Sequence, residues 1–225
     1  MADPQVALIV GAGSGLSASL ARLLARQGMK VALAARDVGK LAALAAETGA
    51  SAYACDASRA EDVAVMFSGV GRDLGDPSLV VYNPSYRSRG PLVELDAADV
   101  RRSLEVTAFG AFLVGQAAAR EMLAAGQGSI LFTGASASVK GYANSAPFAM
   151  GKFALRGLAQ SMARELAPKN IHVAHFVIDG AIGKAGGSDD RLDPDAIAET
   201  YLHVHRQPRS AWTWEVELRP WLEKF

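Results

Sequence analysis

The chain has 225 residues with no shift in composition along them, which predicts a single domain over 1–225. Its 23 lysines and arginines balance its 23 aspartates and glutamates, so no net field favours nucleic acid or an anionic membrane as a partner. Cys55 is the only cysteine, which predicts a cytoplasmic chain without an internal disulfide. The four histidines lack partner thiols, so no structural metal is predicted. No eighteen apolar residues occur in a row, so no membrane span is predicted.

Short apolar runs alternate with longer segments of helical periodicity along most of the chain. The runs are 6–10, 30–35, 51–55, 79–83, 129–134 and 172–178. Continuous apolar strands are typical of a parallel sheet that is buried on both faces. The longest helical segment carries an apolar stripe at every third or fourth position. The alternation predicts a doubly wound α/β fold of the Rossmann type, with about seven parallel strands flanked by helices on both faces.

A glycine-rich turn, GAGSGL, follows the first strand and opens a helix. Gly11, Gly13 and Gly15 let the backbone approach a pyrophosphate, whose charge is stabilised by the N-terminus of the helix. Ser14 and Leu16 belong to the same turn and are predicted to hold the cofactor with the glycines. Because strand, turn and helix come in the required order, the pattern favours nucleotide binding over a merely tight turn.

The second strand ends in AARD, at the place where an acid would bind the adenosine ribose of NAD. Ala35 and Arg36 stand there instead, and a small residue followed by a guanidinium suits the 2′-phosphate of NADP. This favours NADP(H) over NAD(H), the alternative being that Arg36 is a solvated surface charge. Asp56 follows the third strand and is placed either to hydrogen-bond the adenine rim or to cap the next helix.

The C-terminal part of the chain begins with a polar, glycine-rich segment, GKAGGSDDRLD at 183–193, which is either a substrate lid or a surface loop. A helix near 194–204 is predicted to follow. The stretch WTWEVEL after it alternates apolar and polar residues, which predicts an edge strand with one buried face.

Five stretches carry a resemblance to a known family. They are GAGSGL after the first strand, ASRAEDV after the third, YNPS after the fourth, GAFLVGQAA on a helix, and FAMGKFALRGLAQSMARELAPKNIHV. With them the chain resembles the short-chain dehydrogenase/reductase family over about residues 5–182. The resemblance implies an oxidoreductase that binds a nicotinamide cofactor and a small-molecule substrate. It also places Asn83, Lys152 and Ile182 among the residues that hold the cofactor, and puts Ser17 where the family has its third motif glycine.

The family's active site is a tetrad of asparagine, serine, tyrosine and lysine, in which the tyrosine of YxxxK transfers the proton. Carried over by motif spacing, the four positions are Thr107, Ala135, Phe148 and Lys152, so that only the lysine is retained. The resemblance therefore implies a divergent subgroup with phenylalanine in place of the catalytic tyrosine. Since general acid catalysis alone supplies about 10²–10⁴-fold in rate, reduction of an unactivated ketone by the usual route should be very slow.

Three side chains are candidates for the missing chemical role. Lys152 could act as the acid, because burial next to Phe148 lowers the pKa of an amine; alternatively it only holds the cofactor ribose. Tyr142 lies in a loop that lines the substrate pocket in relatives, and is otherwise pocket wall or surface. Ser136 or Ser138 could bind the substrate oxygen, or simply cap a local turn. A substrate that accepts hydride without an enzyme-derived proton, such as an iminium, would avoid the difficulty.

The sequence thus predicts an atypical NADP(H)-preferring oxidoreductase of the short-chain dehydrogenase class, with an unknown substrate. The alternative is a non-catalytic nucleotide-binding protein, acting as a sensor or as the silent subunit of a hetero-oligomer. A scaffold that has lost the cofactor is a third possibility, against which the retained glycines and Lys152 argue. The resemblance also implies a homodimer or homotetramer, and the apolar stretches AFGAFLVGQAAA and FALRGLAQSMA suit either helix packing between subunits or an ordinary core.

Overall fold

A computed structural model of the chain, which describes residues 5–223, contains a seven-stranded sheet in which all neighbouring strands are parallel. The strands are β1 (Val6–Val10), β2 (Lys30–Ala35), β3 (Ser51–Ala54), β4 (Leu79–Tyr82), β5 (Gly128–Thr133), β6 (Ile171–Ile178) and β7 (Glu215–Leu218). Their order in the sheet is β3-β2-β1-β4-β5-β6-β7, which is the doubly wound arrangement that the sequence predicts. The outermost residues of the predicted domain, 1–4 and 224–225, lie outside the described residues.

Helices cover both faces of the sheet. Within residues 5–223 they are α1 (Leu16–Arg26), α2 (Ala42–Thr48), α3 (Ala60–Asp73), α4 (Ala97–Leu104), α5 (Gly110–Ala125), α6 (Ala146–Leu166) and α7 (Pro194–His205). A single π-helical turn, Glu105–Phe109, joins α4 to α5. One buried cluster lies under α1 and α7, and the other under α3, α5 and α6. In this part of the chain, no helix combines the length and the apolar character that crossing a membrane requires.

The first strand shows why the apolar runs form a sheet that is buried on both sides. All five residues of β1 are buried. Because successive side chains of a strand point to opposite faces, Ala7 and Ile9 join one core cluster, while Val6, Leu8 and Val10 join the other. A polar side chain at any of the five positions would therefore be buried without a hydrogen-bonding partner. A strand that is covered on both faces thus needs apolar residues at every position.

The predicted C-terminal helix is present as α7. It begins as expected, with the Asp193 carboxylate accepting a hydrogen bond from the Asp195 backbone N–H at 2.8 Å and Pro194 in the first turn. The loop 183–193 before it is closed by an isolated bridge between Ile182 and Leu192. Whether this loop serves as a lid stays a prediction.

The C-terminal strand is shorter than the alternating pattern of WTWEVEL predicts, because it begins only at Glu215. The Thr213 N–H donates to the Gln207 side chain at 2.8 Å, and the Thr213 carbonyl bonds the His172 ring at 2.8 Å. Trp212 stacks on His172 with ring centroids 4.6 Å apart. Side chains thus bond the backbone groups of Thr213, and the first backbone hydrogen bond to β6 is made by the Trp214 carbonyl, which accepts from the His175 N–H at 2.8 Å.

Candidate functional site

The strand order reverses between β1 and β4, and in open α/β sheets ligands bind in the crevice at the carboxyl ends of the strands at such a point. Two cavities lie there and share Asn83 and Ser85 in their walls. The larger, of about 740 Å³, is lined by the glycine turn and the ends of β2 and β3, and is here called the glycine-turn cavity. The smaller, of about 440 Å³, is lined by α6 and the ends of β5 and β6, and is called the Lys152 cavity.

The glycine turn is shaped for close approach by a ligand. Gly11 has φ +79°, and a Cβ there would lie 2.7 Å from Pro84, so a side chain is excluded at this position. A Cβ at Gly13, by contrast, would meet nothing within 4 Å, which leaves this backbone open toward the cavity that Gly13 and Ser14 line. The N-terminus of α1 has no side-chain cap and no acidic residue in its first turn, so it can bind an anion.

Two residues of the predicted cofactor site lie beside the cavity rather than in its wall. Gly15 is the N-cap residue of α1, and the Leu16 side chain packs into the core. Ser17, which stands at the position of the third motif glycine, adds two hydrogen bonds to the turn that the sequence did not suggest. Its hydroxyl donates to the Gly11 carbonyl at 3.2 Å and accepts from the Asn83 amide at 2.8 Å, which fixes the turn to the end of β4.

The end of β2 brings two cations to the glycine-turn cavity. Arg36 lines it, as does Lys40 in the following 3₁₀ turn. Asp37 also lines the cavity; its carboxylate accepts from the Gly39 N–H at 3.1 Å and lies 3.5 Å from the Lys40 ammonium, so it offsets part of the positive charge. Sequence reasoning missed Lys40, although a base four positions after Arg36 was the available signal. This end of the cavity suits an anionic group.

Asp56 lines the same cavity and also stabilises a local turn. Its carboxylate accepts from the Ser58 N–H at 3.1 Å and from the Ser58 hydroxyl at 2.6 Å, while its own N–H donates to Asp62 at 3.0 Å. Cys55 beside it is buried, and burial followed by the charges of Asp62 and Asp56 raises the pKa of its thiol to about 12. The thiol is therefore protonated at neutral pH and is no nucleophile.

Lys152 is the buried cation of the smaller cavity. Its side chain is 3% exposed, and its ammonium donates to the Thr133 carbonyl at 2.6 Å. Phe148 lies one turn earlier on α6, with its ring centroid 5.9 Å from the Lys152 Nζ. Burial, and then the charge of Arg87, lower the pKa of Lys152 from its ordinary 10.5 to about 7. The amine can therefore change its protonation state near neutral pH.

Arg87 is a second cation in this cavity, and sequence reasoning missed it. Its guanidinium carbon lies 4.3 Å from the centroid of the Phe148 ring, the distance of a cation–π contact. The only signal in the sequence was the pair of arginines in YRSRG after β4, in a loop where charged residues ordinarily face solvent. Ala135 and Ile182, both predicted site residues, also line the cavity.

The remaining candidates lie outside the Lys152 cavity. Thr107, the asparagine position, is buried in the π-helical turn, where its hydroxyl accepts from the Tyr86 N–H at 3.3 Å. Tyr142 is 46% exposed, with the Lys140 ammonium 5.6 Å from its ring centroid. Ser136 is half-buried away from the cavity wall, and the buried Ser138 hydroxyl accepts from the Ala135 N–H at 3.1 Å, which is the turn-capping alternative. Of the three candidates for the missing chemical role, Lys152 is the one that lines the cavity.

No group of three or more histidines, cysteines, aspartates and glutamates within 5–223 is arranged to hold a metal ion. Two hydroxyls line the Lys152 cavity, those of Ser85 and Thr133, and the latter is hydrogen-bonded to the Tyr201 hydroxyl at 2.9 Å. The arrangement can therefore bind an anionic nucleotide along the glycine turn and present a lysine, an arginine and a phenyl ring to whatever occupies the smaller cavity.

Comparison with known proteins, by sequence and by structure, finds short-chain dehydrogenases and related reductases in both cases. The family model described as short chain dehydrogenase matches residues 5–182. Carbonyl reductase family member 4 of Xenopus tropicalis is 28% identical over 218 residues, which cover 91% of this chain and 92% of that protein. A short-chain dehydrogenase structure from Rhodopseudomonas palustris is 36% identical with a TM-score of 0.87, covering 96% of this chain and 99% of the other. A metagenomic short-chain oxidoreductase solved with NADP is 30% identical, also with a TM-score of 0.87, covering 98% and 99%.

Proposed function

The chain belongs to the short chain dehydrogenase family, and from that premise we propose that it is a cytoplasmic, NADP(H)-preferring oxidoreductase without the usual serine–tyrosine proton-donating pair. The observation that carries the proposal is the glycine-turn cavity, which has Arg36 and Lys40 at its β2 end, with Asp37 beside them, and shares Asn83 and Ser85 with the Lys152 cavity. The similar metagenomic enzyme that was solved with NADP supports the choice of cofactor.

The described residues fit such a cofactor. The open backbone at Gly13 and the uncapped N-terminus of α1 would bind the pyrophosphate, and Arg36 with Lys40 would bind the 2′-phosphate. Asp56 is proposed to contact the adenine. Further along the crevice, Asn83, Lys152 and Ile182 are proposed to hold the nicotinamide ribose and carboxamide, because all three line the Lys152 cavity.

Phe148 and Ala135 decide which substrates this site can serve. When bound, the nicotinamide supplies or accepts a hydride. At the substrate, neither a phenyl ring nor a methyl group can donate a proton to a developing alkoxide. An iminium carbon that receives a hydride passes its π electrons to nitrogen and needs no proton, and a conjugated electrophile can take its proton from water afterwards. Such electrophiles are the substrates we propose, and a panel of them that shows no hydride transfer would contradict this.

The same two residues leave one alternative, a nucleotide-binding protein without catalytic activity acting as a sensor or as a silent subunit, which the similar oxidoreductases do not favour. It shares the cofactor site with the oxidoreductase and differs in the Lys152 cavity. Substitution at Phe148 and Ala135 distinguishes the two, as argued in the Discussion.

The cofactor proposal is tested by fluorescence titration of NADPH and NADH on the wild type and on Arg36→Ala. We expect the wild type to bind NADPH more tightly. Since a hydrogen bond to a charged group contributes about 1.5–3 kcal/mol, the substitution should weaken NADPH binding by about 10- to 100-fold and leave NADH nearly unchanged. Arg59→Ala is the matched control, because this exposed arginine is paired with Asp62 and does not line the cavity. Equal losses for both nucleotides would exclude contact of Arg36 with the 2′-phosphate, and no binding of either would exclude the oxidoreductase.

We further propose that the chain forms a homodimer or homotetramer through α5 and α6. Ala111, Val114 and Leu155 of these helices are fully buried against the sheet, whereas Phe112 and Phe153 are 40% and 45% exposed. The two helices therefore have a core face and a second apolar face, as both interpretations of these stretches require.

Glutamate at both exposed positions, Phe112→Glu with Phe153→Glu, is expected to convert the oligomer to a monomer, because it would bury carboxylates in the interface. The measurement is the mass in solution by light scattering, with Val65→Glu on the exposed side of α3 as the control. A monomeric wild type would contradict the proposal.

A further inference from the structure

The Lys152 cavity carries positive charge without a compensating acid. Of the described residues that line it, two are charged, and both are cations: Arg87 and Lys152. Neither forms an ion pair with any carboxylate within residues 5–223. An ammonium that is 3% exposed and unpaired is costly, so an anion entering this cavity would be stabilised.

Arg87 is held in place by its neighbours rather than by a partner of its own. The Tyr86 hydroxyl donates to Asp99 at 2.8 Å and the Ser88 hydroxyl donates to the same carboxylate at 3.2 Å. The loop is thus fixed to α4 on both sides of Arg87, and the nearby carboxylate is already engaged. In the described part of the chain, the guanidinium makes no hydrogen bond. Its contact is with the Phe148 ring, whose centroid lies 4.3 Å from the guanidinium carbon.

A guanidinium stacked on a ring keeps its N–H donors at its edge, where they match the two oxygens of a carboxylate or phosphate. Phe148 matters here because it has no hydroxyl group. A phenol at this position would add a hydroxyl to the ring that both cations contact, as a possible hydrogen-bonding partner, whereas the phenyl ring leaves their donors to a ligand. Both cations lie against the same ring, with the Arg87 guanidinium carbon 4.3 Å and the Lys152 Nζ 5.9 Å from its centroid, so they repel each other and a shared anion would offset that repulsion.

We infer that the Lys152 cavity binds a substrate bearing an oxyanion group, a carboxylate or a phosphate, through the Arg87 guanidinium and with Lys152 facing the same group. This inference rests on the proposed function and narrows it: the electrophile that the oxidoreductase takes carries an oxyanion group, since an iminium without one would be repelled by Arg87 and Lys152. Arg87 is then the residue that selects anionic substrates over neutral ones.

The test is calorimetric titration of the full chain with three probes of similar size: benzoate, phenyl phosphate and neutral benzamide. We expect benzoate or phenyl phosphate to bind about tenfold more tightly than benzamide or better, and the tighter of the two identifies the oxyanion. Arg87→Ala should weaken that probe by about 10- to 100-fold, and Arg87→Lys, which keeps the charge but loses the planar donor pair, should weaken it less. Arg89→Ala removes the same charge two residues away and is expected to leave binding within about twofold. The melting temperature of each variant confirms that it is folded.

Two further measurements separate this inference from the cofactor proposal. NADPH affinity is determined for the same proteins, and the titrations are repeated with Arg36→Ala. Oxyanion binding that depends on Arg87, in a protein that binds no NADPH, would support the anion site while the oxidoreductase fails. Equal affinity for benzamide, equal losses in Arg87→Ala and Arg89→Ala, or probe binding that depends on Arg36 instead would overturn the inference. So would an Arg87→Ala variant that loses NADPH but not the oxyanion, because Arg87 would then belong to the cofactor site.

Discussion

The combined substitution of Phe148→Tyr and Ala135→Ser is expected to raise the rate of reduction of a simple ketone by about 10²–10⁴-fold over the wild type, since this is what a positioned general acid supplies. Both side chains line the Lys152 cavity, and Phe148 lies one helical turn before Lys152. A phenol at this position would face two cations, Lys152 and Arg87, and both would lower its pKa toward neutrality. The measurement is NADPH consumption with a neutral ketone under steady-state conditions.

The single substitutions and one control complete this experiment. Because groups that act as a unit are not additive, each single variant should gain far less than the pair. Phe148→Leu changes the packing without adding a hydroxyl and should gain nothing. If the paired variant binds NADPH and still fails to turn over any ketone, the non-catalytic alternative is favoured. If the wild type already reduces ketones quickly, another group supplies the proton.

The fold was predictable because its signals are local. The five apolar residues of β1 and the glycine turn that follows occur in one stretch of the chain, and their order is enough to predict a strand, a turn and a helix. The parallel sheet then follows from repetition of the same unit. The sequence pattern predicted the C-terminal strand but placed its start too early, because side chains outside the stretch bond the backbone of Thr213: its N–H donates to Gln207 and its carbonyl accepts from His172.

The site was predictable only where a motif fixes the position of a residue. Gly11 and Lys152 belong to such motifs, and both lie in the crevice. Arg87 contacts Phe148 from a loop that Asp99 ties to α4 on both sides of the arginine, and no local pattern encodes such tertiary contacts. Tyr142 illustrates the reverse, because its place in a loop suggested a pocket residue and its ring lies exposed beside Lys140.

Lys152→Met is expected to stabilise the fold and to weaken the cofactor site at the same time. The ammonium is buried without a carboxylate partner, so replacing it with an apolar chain should raise the free energy of unfolding by about 1–4 kcal/mol near pH 6. The lost hydrogen bond to the Thr133 carbonyl offsets about 1 kcal/mol of this. NADPH affinity should fall by about 10- to 100-fold, because the amine no longer holds the ribose.

The difference in stability between Lys152→Met and the wild type should depend on pH. The pKa of Lys152 in the folded chain, about 7, lies below its ordinary 10.5, so between these values the unfolded chain binds more protons, and the stability of the wild type rises with pH. The advantage of Lys152→Met should therefore be largest below about pH 7 and shrink toward about pH 10. The pKa of His175, which burial lowers to about 4 and to which the charge of Lys152 also contributes, lies below this range, so its titration does not enter the difference there.

Chemical unfolding at several pH values measures the difference, with Lys169→Met as the matched control. Lys169 is half-exposed and paired with Glu165 at 3.7 Å, a surface pair whose loss should change stability by less than about 1 kcal/mol at every pH. A constant gap between Lys152→Met and the wild type from acid to alkaline pH would show that the amine keeps its ordinary pKa. It would then stay protonated across the neutral range, and the lowered pKa that makes Lys152 a candidate proton donor would be excluded.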